Sequence, residues 1–104
     1  MSILEEFRCQ INSLDEELIR TLAVRLKLCE EIARFKKQKN IPMMQRDRIA
    51  AVFARWNALG TQQGIDGGFV SRLYQLILDE SCRLEQDIIG DRRGNGDSPG
   101  GHSA

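Results

Sequence analysis

Neither glycine nor proline occurs in this chain before Pro42. The residues that stop or sharply bend a helix are therefore missing from its first forty positions. Charge of one sign is not in excess either. With 15 basic and 15 acidic side chains the formal net charge is zero, so no global field draws in nucleic acid or an anionic membrane. No apolar run approaches the ~20 residues of a membrane span. The N-terminal "MSILEEFRCQ" is acidic and lacks the apolar centre of a signal peptide. The single histidine, His102, lies in the terminal tail, which disfavours a catalytic Cys–His pair. Cys9, Cys29 and Cys82 are odd in number and have no CxxC spacing. They read as reduced, packed thiols of a cytoplasmic protein rather than disulfides or metal ligands.

What is present points to helices. A chain of 104 residues, 41% hydrophobic and 29% charged, is one domain of ordinary composition. Leu4, Phe7, Ile11, Leu14, Leu18, Leu22, Leu26, Cys29 and Ile32 fall at helical spacing, which predicts a first helix from Ile3 to Gln38. Asn40 is its candidate C-cap and Pro42 its stop. A second helix is expected from near Met44 to Leu59, closed by Gly60. "GTQQGIDGG" reads as a loop, and Asp66 as the N-cap of a third helix from about Gly68 to Ile89. The glycine-, serine- and charge-rich segment 91–104 is expected to be a disordered tail following a domain of residues 1–90. No β pattern competes, so the fold class is all-α.

The first helix is long for its companions. About 36 residues at ~1.5 Å each span ~54 Å, whereas a compact domain of this size has a radius of gyration of ~13 Å. Two shorter helices cannot cover both ends. Because the apolar stripe continues to the far end, a second subunit is expected to bury it, most simply as a symmetric dimer.

Chemistry is sought where polar groups interrupt an apolar stripe. Arg25, Cys29, Ile32 and Lys36 share one face of the first helix. Ser81 and Glu85 lie with Tyr74, Ile77, Leu78 and Ile88 on the third, and Arg48 lies with Val52 and Arg55 on the second. Any one set alone fits a solvated flank whose long stems snorkel outward. All three together suggest a shared polar pocket. Arg8 sits 17 positions before Arg25, roughly 100° off that face. In a dimer of long helices it reaches the other subunit's pocket.

The segments "FRCQINSLDEELIRTLAVRLKLCEEIARFKK", "IP…DR" and "GIDGGFVSRLYQLILDESCRLE" resemble the all-helical chorismate mutase family, over about residues 4 to 89. The resemblance implies an intertwined homodimer of three-helix subunits with two buried sites. It implies that Arg25 and the partner's Arg8 clamp the two carboxylates of a small-molecule substrate, a task suited to the guanidinium fork. Lys36 would contact a carboxylate and the ether oxygen of the enolpyruvyl group. Arg48 would support or bind a carboxylate, Ser81 would lie beside the ring carboxylate, and Glu85 would point at the ether oxygen. The implied reaction is a pericyclic [3,3] Claisen rearrangement, which needs a held chair-like conformer and stabilised charge on the ether oxygen. It needs no cofactor, and Arg25, Lys36 and Glu85 are its expected catalytic groups.

Two departures from the family pattern bear on the substrate. Ile49 stands directly after Arg48, where a glutamate usually accepts from the substrate's C4 hydroxyl, and Gln45 replaces a common aspartate. Leaving a buried hydroxyl without its partner costs ~1–3 kcal/mol. The stretch "PMMQ…R" with a later "CR.E" resembles the 4-amino-4-deoxychorismate mutases of antibiotic pathways, whose substrate carries an amine at C4. Chorismate mutase, isochorismate pyruvate lyase and a non-catalytic helical dimer are the alternatives, in that order. An ionised carboxylate cannot donate a hydrogen bond, so a catalytic Glu85 must carry a proton. Activity is then expected to decline from mildly acidic toward alkaline pH.

Overall fold

A computed structural model describes residues 2–42 and 45–90 of the chain as three helices. Helix α1 spans Ile3–Lys39, α2 spans Arg46–Gln62 and α3 spans Gly67–Gly90. Met43, Met44 and the glycine-rich tail lie outside the described residues.

Each helix boundary has a local cause. Ser2 and Glu5 form a capping box, the Ser2 hydroxyl accepting from the Glu5 amide at 3.1 Å and Glu5 accepting from the Ser2 amide at 3.2 Å. Glu5 and Glu6 occupy the first turn and Lys36, Lys37 and Lys39 the last, which complements the helix dipole at both ends. Asn40 adopts the left-handed conformation (φ 55°) and its amide donates to the Lys36 carbonyl, as expected of a C-cap. The Asp66 carboxylate accepts from the Phe69 amide at 2.9 Å and starts α3.

Helix α2 departs from the sequence expectation. It continues through Gly60 to Gln62, and the turn comes at Gly64, whose φ of 74° suits glycine. Gly60 is buried and faces α3. A Cβ there would lie 2.7 Å from Val70 Cγ2. Gly60 is thus a point of close helix approach rather than a helix end.

Helix α3 packs against both α1 and α2, while α1 and α2 do not approach each other along their backbones among the described residues. The Lys37 ammonium donates to the Ile88 carbonyl at 3.2 Å, tying the end of α3 to α1. The Ser71 hydroxyl donates to Asn57 Oδ1 at 3.2 Å and ties α3 to α2. The apolar residues of the interior are few: Ala33, Val52, Val70 and Tyr74. On all 37 residues of α1 only Ala33 is buried. The structure extends 56 Å along its longest axis, close to the ~55 Å expected of α1 alone. Leu4, Phe7, Ile11, Leu14 and Leu18 are all more than half exposed.

Candidate active site

Where the second half of α1, the start of α2 and the middle of α3 converge, they enclose a half-open cavity of about 260 Å³. From α1 come Arg25, Cys29, Ile32 and Lys36, at the spacings that set them on one face. From α2 and the residue before it come Gln45, Arg48, Ile49 and Val52. Helix α3 adds Tyr74, Leu78, Ser81, Cys82 and Glu85. The volume lies just below the usual range of small-molecule pockets.

Polar groups in the cavity interact across helices. The Lys36 ammonium lies 3.5 Å from Glu85 Oε1, and both side chains are largely withdrawn from water. Their pairing is accordingly less screened than that of the exposed pairs Arg34–Glu31 and Arg83–Glu80. Ser81 is buried. The Cys29 thiol donates to the Ser81 hydroxyl at 3.5 Å, and Arg25 Nη1 donates to Cys29 Sγ at 4.0 Å, a chain of weak bonds from α1 to α3. The Arg25 guanidinium lies over the rings of Trp56 and Tyr74. Gln45 is the N-cap residue of α2, but its side chain makes no capping hydrogen bond. Its amide is not spent on holding the helix start.

Burial pushes the Cys82 thiol above its ordinary value, and the nearby Glu85 and Asp79 carboxylates push the same way while Lys36 opposes them. Cys82 is therefore a neutral, poorly nucleophilic wall of the cavity at physiological pH. Three cations, Arg25, Lys36 and Arg48, face one carboxylate, Glu85, among the lining residues. Such an excess of positive charge suits a ligand with more than one carboxylate. Among the described residues no group of histidine, cysteine and acid side chains forms a metal site, and no helix is long and apolar enough to cross a membrane.

Of the residues singled out in the sequence, Arg25, Lys36, Gln45, Arg48, Ile49, Ser81 and Glu85 all line this one cavity. Arg8 does not. It lies exposed in the first half of α1, about 26 Å along the helix from Arg25 at ~1.5 Å per residue. Arg55, expected on the face of Arg48 and Val52, is also exposed and does not line the cavity. Ile77 and Ile88, expected beside Ser81 and Glu85, stand outside its lining as well. Cys82 was not anticipated, although it lies four residues after Leu78 and three before Glu85 and so shares their helix face. Trp56, four residues after Val52, carried the same signal.

Residues 7–86 match the family of type II chorismate mutases, and the chain belongs to that family. It is 36% identical over 86 residues to a 4-amino-4-deoxychorismate mutase of Streptomyces pristinaespiralis, covering 83% of this chain and 67% of that protein. A 4-amino-4-deoxychorismate mutase of Streptomyces venezuelae is 35% identical, with 83% and 84% covered. The bifunctional chorismate mutase/prephenate dehydratase of Escherichia coli K12 is 32% identical over 82 residues, which are 79% of this chain and 21% of that protein. The family's proteins are isomerases that act on a small-molecule substrate.

Proposed function

We propose that this chain rearranges 4-amino-4-deoxychorismate to 4-amino-4-deoxyprephenate, a precursor of p-aminophenylalanine units, by a pericyclic [3,3] shift in a cytoplasmic homodimer. The observation that carries the reading is the composition of the cavity. Arg25, Lys36 and Arg48 outnumber the single carboxylate, while Gln45 and Ile49 replace acids at its α2 wall. The cations suit a dicarboxylate. A wall without acids lacks the carboxylate that usually accepts from a C4 hydroxyl, which the Gln45 amide oxygen compensates only in part. That oxygen accepts from an amine without an unpaired carboxylate being buried. The two Streptomyces relatives bear the name of this activity.

In this reading Arg25 and Arg48 bind carboxylates and Ser81 lies beside the ring carboxylate. Lys36 and Glu85 face the ether oxygen, where negative charge develops as the C–O bond breaks. The catalytic contribution is orientation of the chair-like conformer plus electrostatic stabilisation of that oxygen. In the resting cavity Lys36 and Glu85 hold one another at 3.5 Å. A bound ether oxygen takes a hydrogen bond from each, and Glu85 supplies its bond as the protonated acid. The partner's Arg8 completes the carboxylate clamp. The dimer covers the exposed stripe of α1, which one subunit leaves in water.

Purified protein offered chorismate, isochorismate and 4-amino-4-deoxychorismate separately, with loss of substrate absorbance as the readout, tests the proposal. The highest kcat/KM is expected on 4-amino-4-deoxychorismate. A higher value on chorismate makes the chain a chorismate mutase, and pyruvate release from isochorismate makes it a lyase. Turnover of none makes it a helical scaffold.

A further inference from the structure

Among the cations of the cavity, Arg25 is held in an unusual way. Lys36 has a carboxylate partner in Glu85, but Arg25 forms no ion pair among the described residues. Its guanidinium carbon instead lies 5.8 Å from the centre of the Trp56 ring and 5.9 Å from that of Tyr74. These two rings are 5.0 Å apart and tilted by 44°. Phe53 meets Tyr74 edge-on at 4.6 Å and backs it from the side. Tyr74 is only 3% exposed, so the cluster is packed in place rather than fluctuating at the surface.

Aromatic faces and carboxylates both orient a guanidinium, but with opposite consequences. A carboxylate takes the in-plane N–H fork and neutralises the charge. A ring face attracts the cation through its quadrupole and leaves the in-plane donors open. We propose that Trp56 and Tyr74 are positioning residues, an aromatic seat that aims the Arg25 guanidinium at a substrate carboxylate without neutralising it. This rests on the reading that the cavity takes a dicarboxylate. Trp56 itself does not line the cavity, so it acts through Arg25 and not by touching the ligand.

Two measurements test the seat. In steady-state kinetics on the substrate that the protein turns over, Trp56→Leu is expected to raise KM about three- to thirty-fold with a smaller change in kcat, and Trp56→Phe to recover most of the loss because it restores a ring face. Equal KM values for the Leu and Phe variants, or a fall in kcat with KM unchanged, overturn the proposal. The second measurement needs no turnover. A double-mutant cycle of Trp56→Leu and Arg25→Gln, read by urea unfolding at matched protein concentration, is expected to show coupling of about three-fold or more in the unfolding constant. Additive effects overturn the seat whatever the substrate is. If Trp56→Leu does not fold, the same cycle with Trp56→Met, or with Tyr74→Leu, in its place decides the question. Coupling that persists when no substrate is turned over upholds the seat and sinks the assigned reaction alone.

Discussion

The two halves of α1 bear similar apolar stripes and meet very different surroundings. In the second half Ala33 is buried, and Arg25, Cys29 and Lys36 are half-buried at the cavity. In the first half Leu4, Phe7, Ile11, Leu14 and Leu18 form an equally regular stripe, each side chain more than half exposed. Fully burying one such side chain is worth ~1.5–3 kcal/mol, so the exposed half forgoes an amount comparable with the net stability of a typical small domain. The difference is between a finished cavity wall and a bare apolar stripe that the proposed dimer would cover. Arg8 belongs to the bare half, and the proposed dimer is what joins it to the chemistry.

The largest expected effect breaks that comparison directly. Arg8→Ala and Lys36→Ala are each expected to lower kcat/KM by about a hundred- to a thousand-fold, as loss of a charge-stabilising group does. If Arg8 serves the partner's cavity, co-expressing the two inactive chains rebuilds one intact site in each mixed dimer. Statistical pairing then returns about a quarter of wild-type activity. No recovery in a sample shown by mass spectrometry to contain mixed dimers places Arg8 outside the site.

Next in size is the response of the stripe itself. On a lone subunit Leu14→Asp is an exposed surface change, worth within about 0.5 kcal/mol either way. In a dimer that buries Leu14 it leaves an unpaired carboxylate in an apolar seam and costs about 3 kcal/mol or more. Sedimentation and thermal melting distinguish the cases. Wild-type mass at the dimer value, with a dissociated or unfolded Leu14→Asp variant, is the expected pair of results.

A third, smaller change sharpens the other side of the comparison, where the cavity meets α2. Ile49→Glu restores an acceptor beside Arg48. It is expected to shift the ratio of kcat/KM values toward chorismate by about ten- to a hundred-fold, the worth of pairing one buried hydroxyl. An unchanged ratio means that position 49 does not face C4.

How much of this was legible in the sequence follows from how each residue acts. Lys36, Ser81 and Glu85 were found because polar groups at i, i+4 spacing inside apolar stripes stand out. Cys82 escaped because an apolar-type residue at a cavity wall has the same periodicity as one in a core, and Trp56, which stands outside the lining, because that periodicity also hides a ring packed beside Arg25. Arg55 was misplaced for the converse reason, since helical spacing fixes an angle but not which neighbour lies there. Gly60 misled because glycine has two uses. It marks a helix end when φ must be positive, and a close approach when a Cβ will not fit, and only the position of Val70 decides between them. Gln45 has no periodic signal at all, and its place in the cavity was legible only through resemblance to the family.

The last expected effect concerns the pair that bridges the cavity's α1 and α3 walls, Lys36 and Glu85. The 3.5 Å contact between them joins α1 to α3, and the proposed reaction requires Glu85 to exchange that contact for one to the ether oxygen. Only a protonated carboxyl donates there, so kcat followed between about pH 5 and about pH 8.5 is expected to decline toward the alkaline end. The amide of Glu85→Gln donates at every pH, so its profile over the same interval is expected to be flat. A level wild-type profile, or a Gln variant that keeps the wild-type slope, removes Glu85 as the donor and leaves Lys36 as the only group facing the breaking bond.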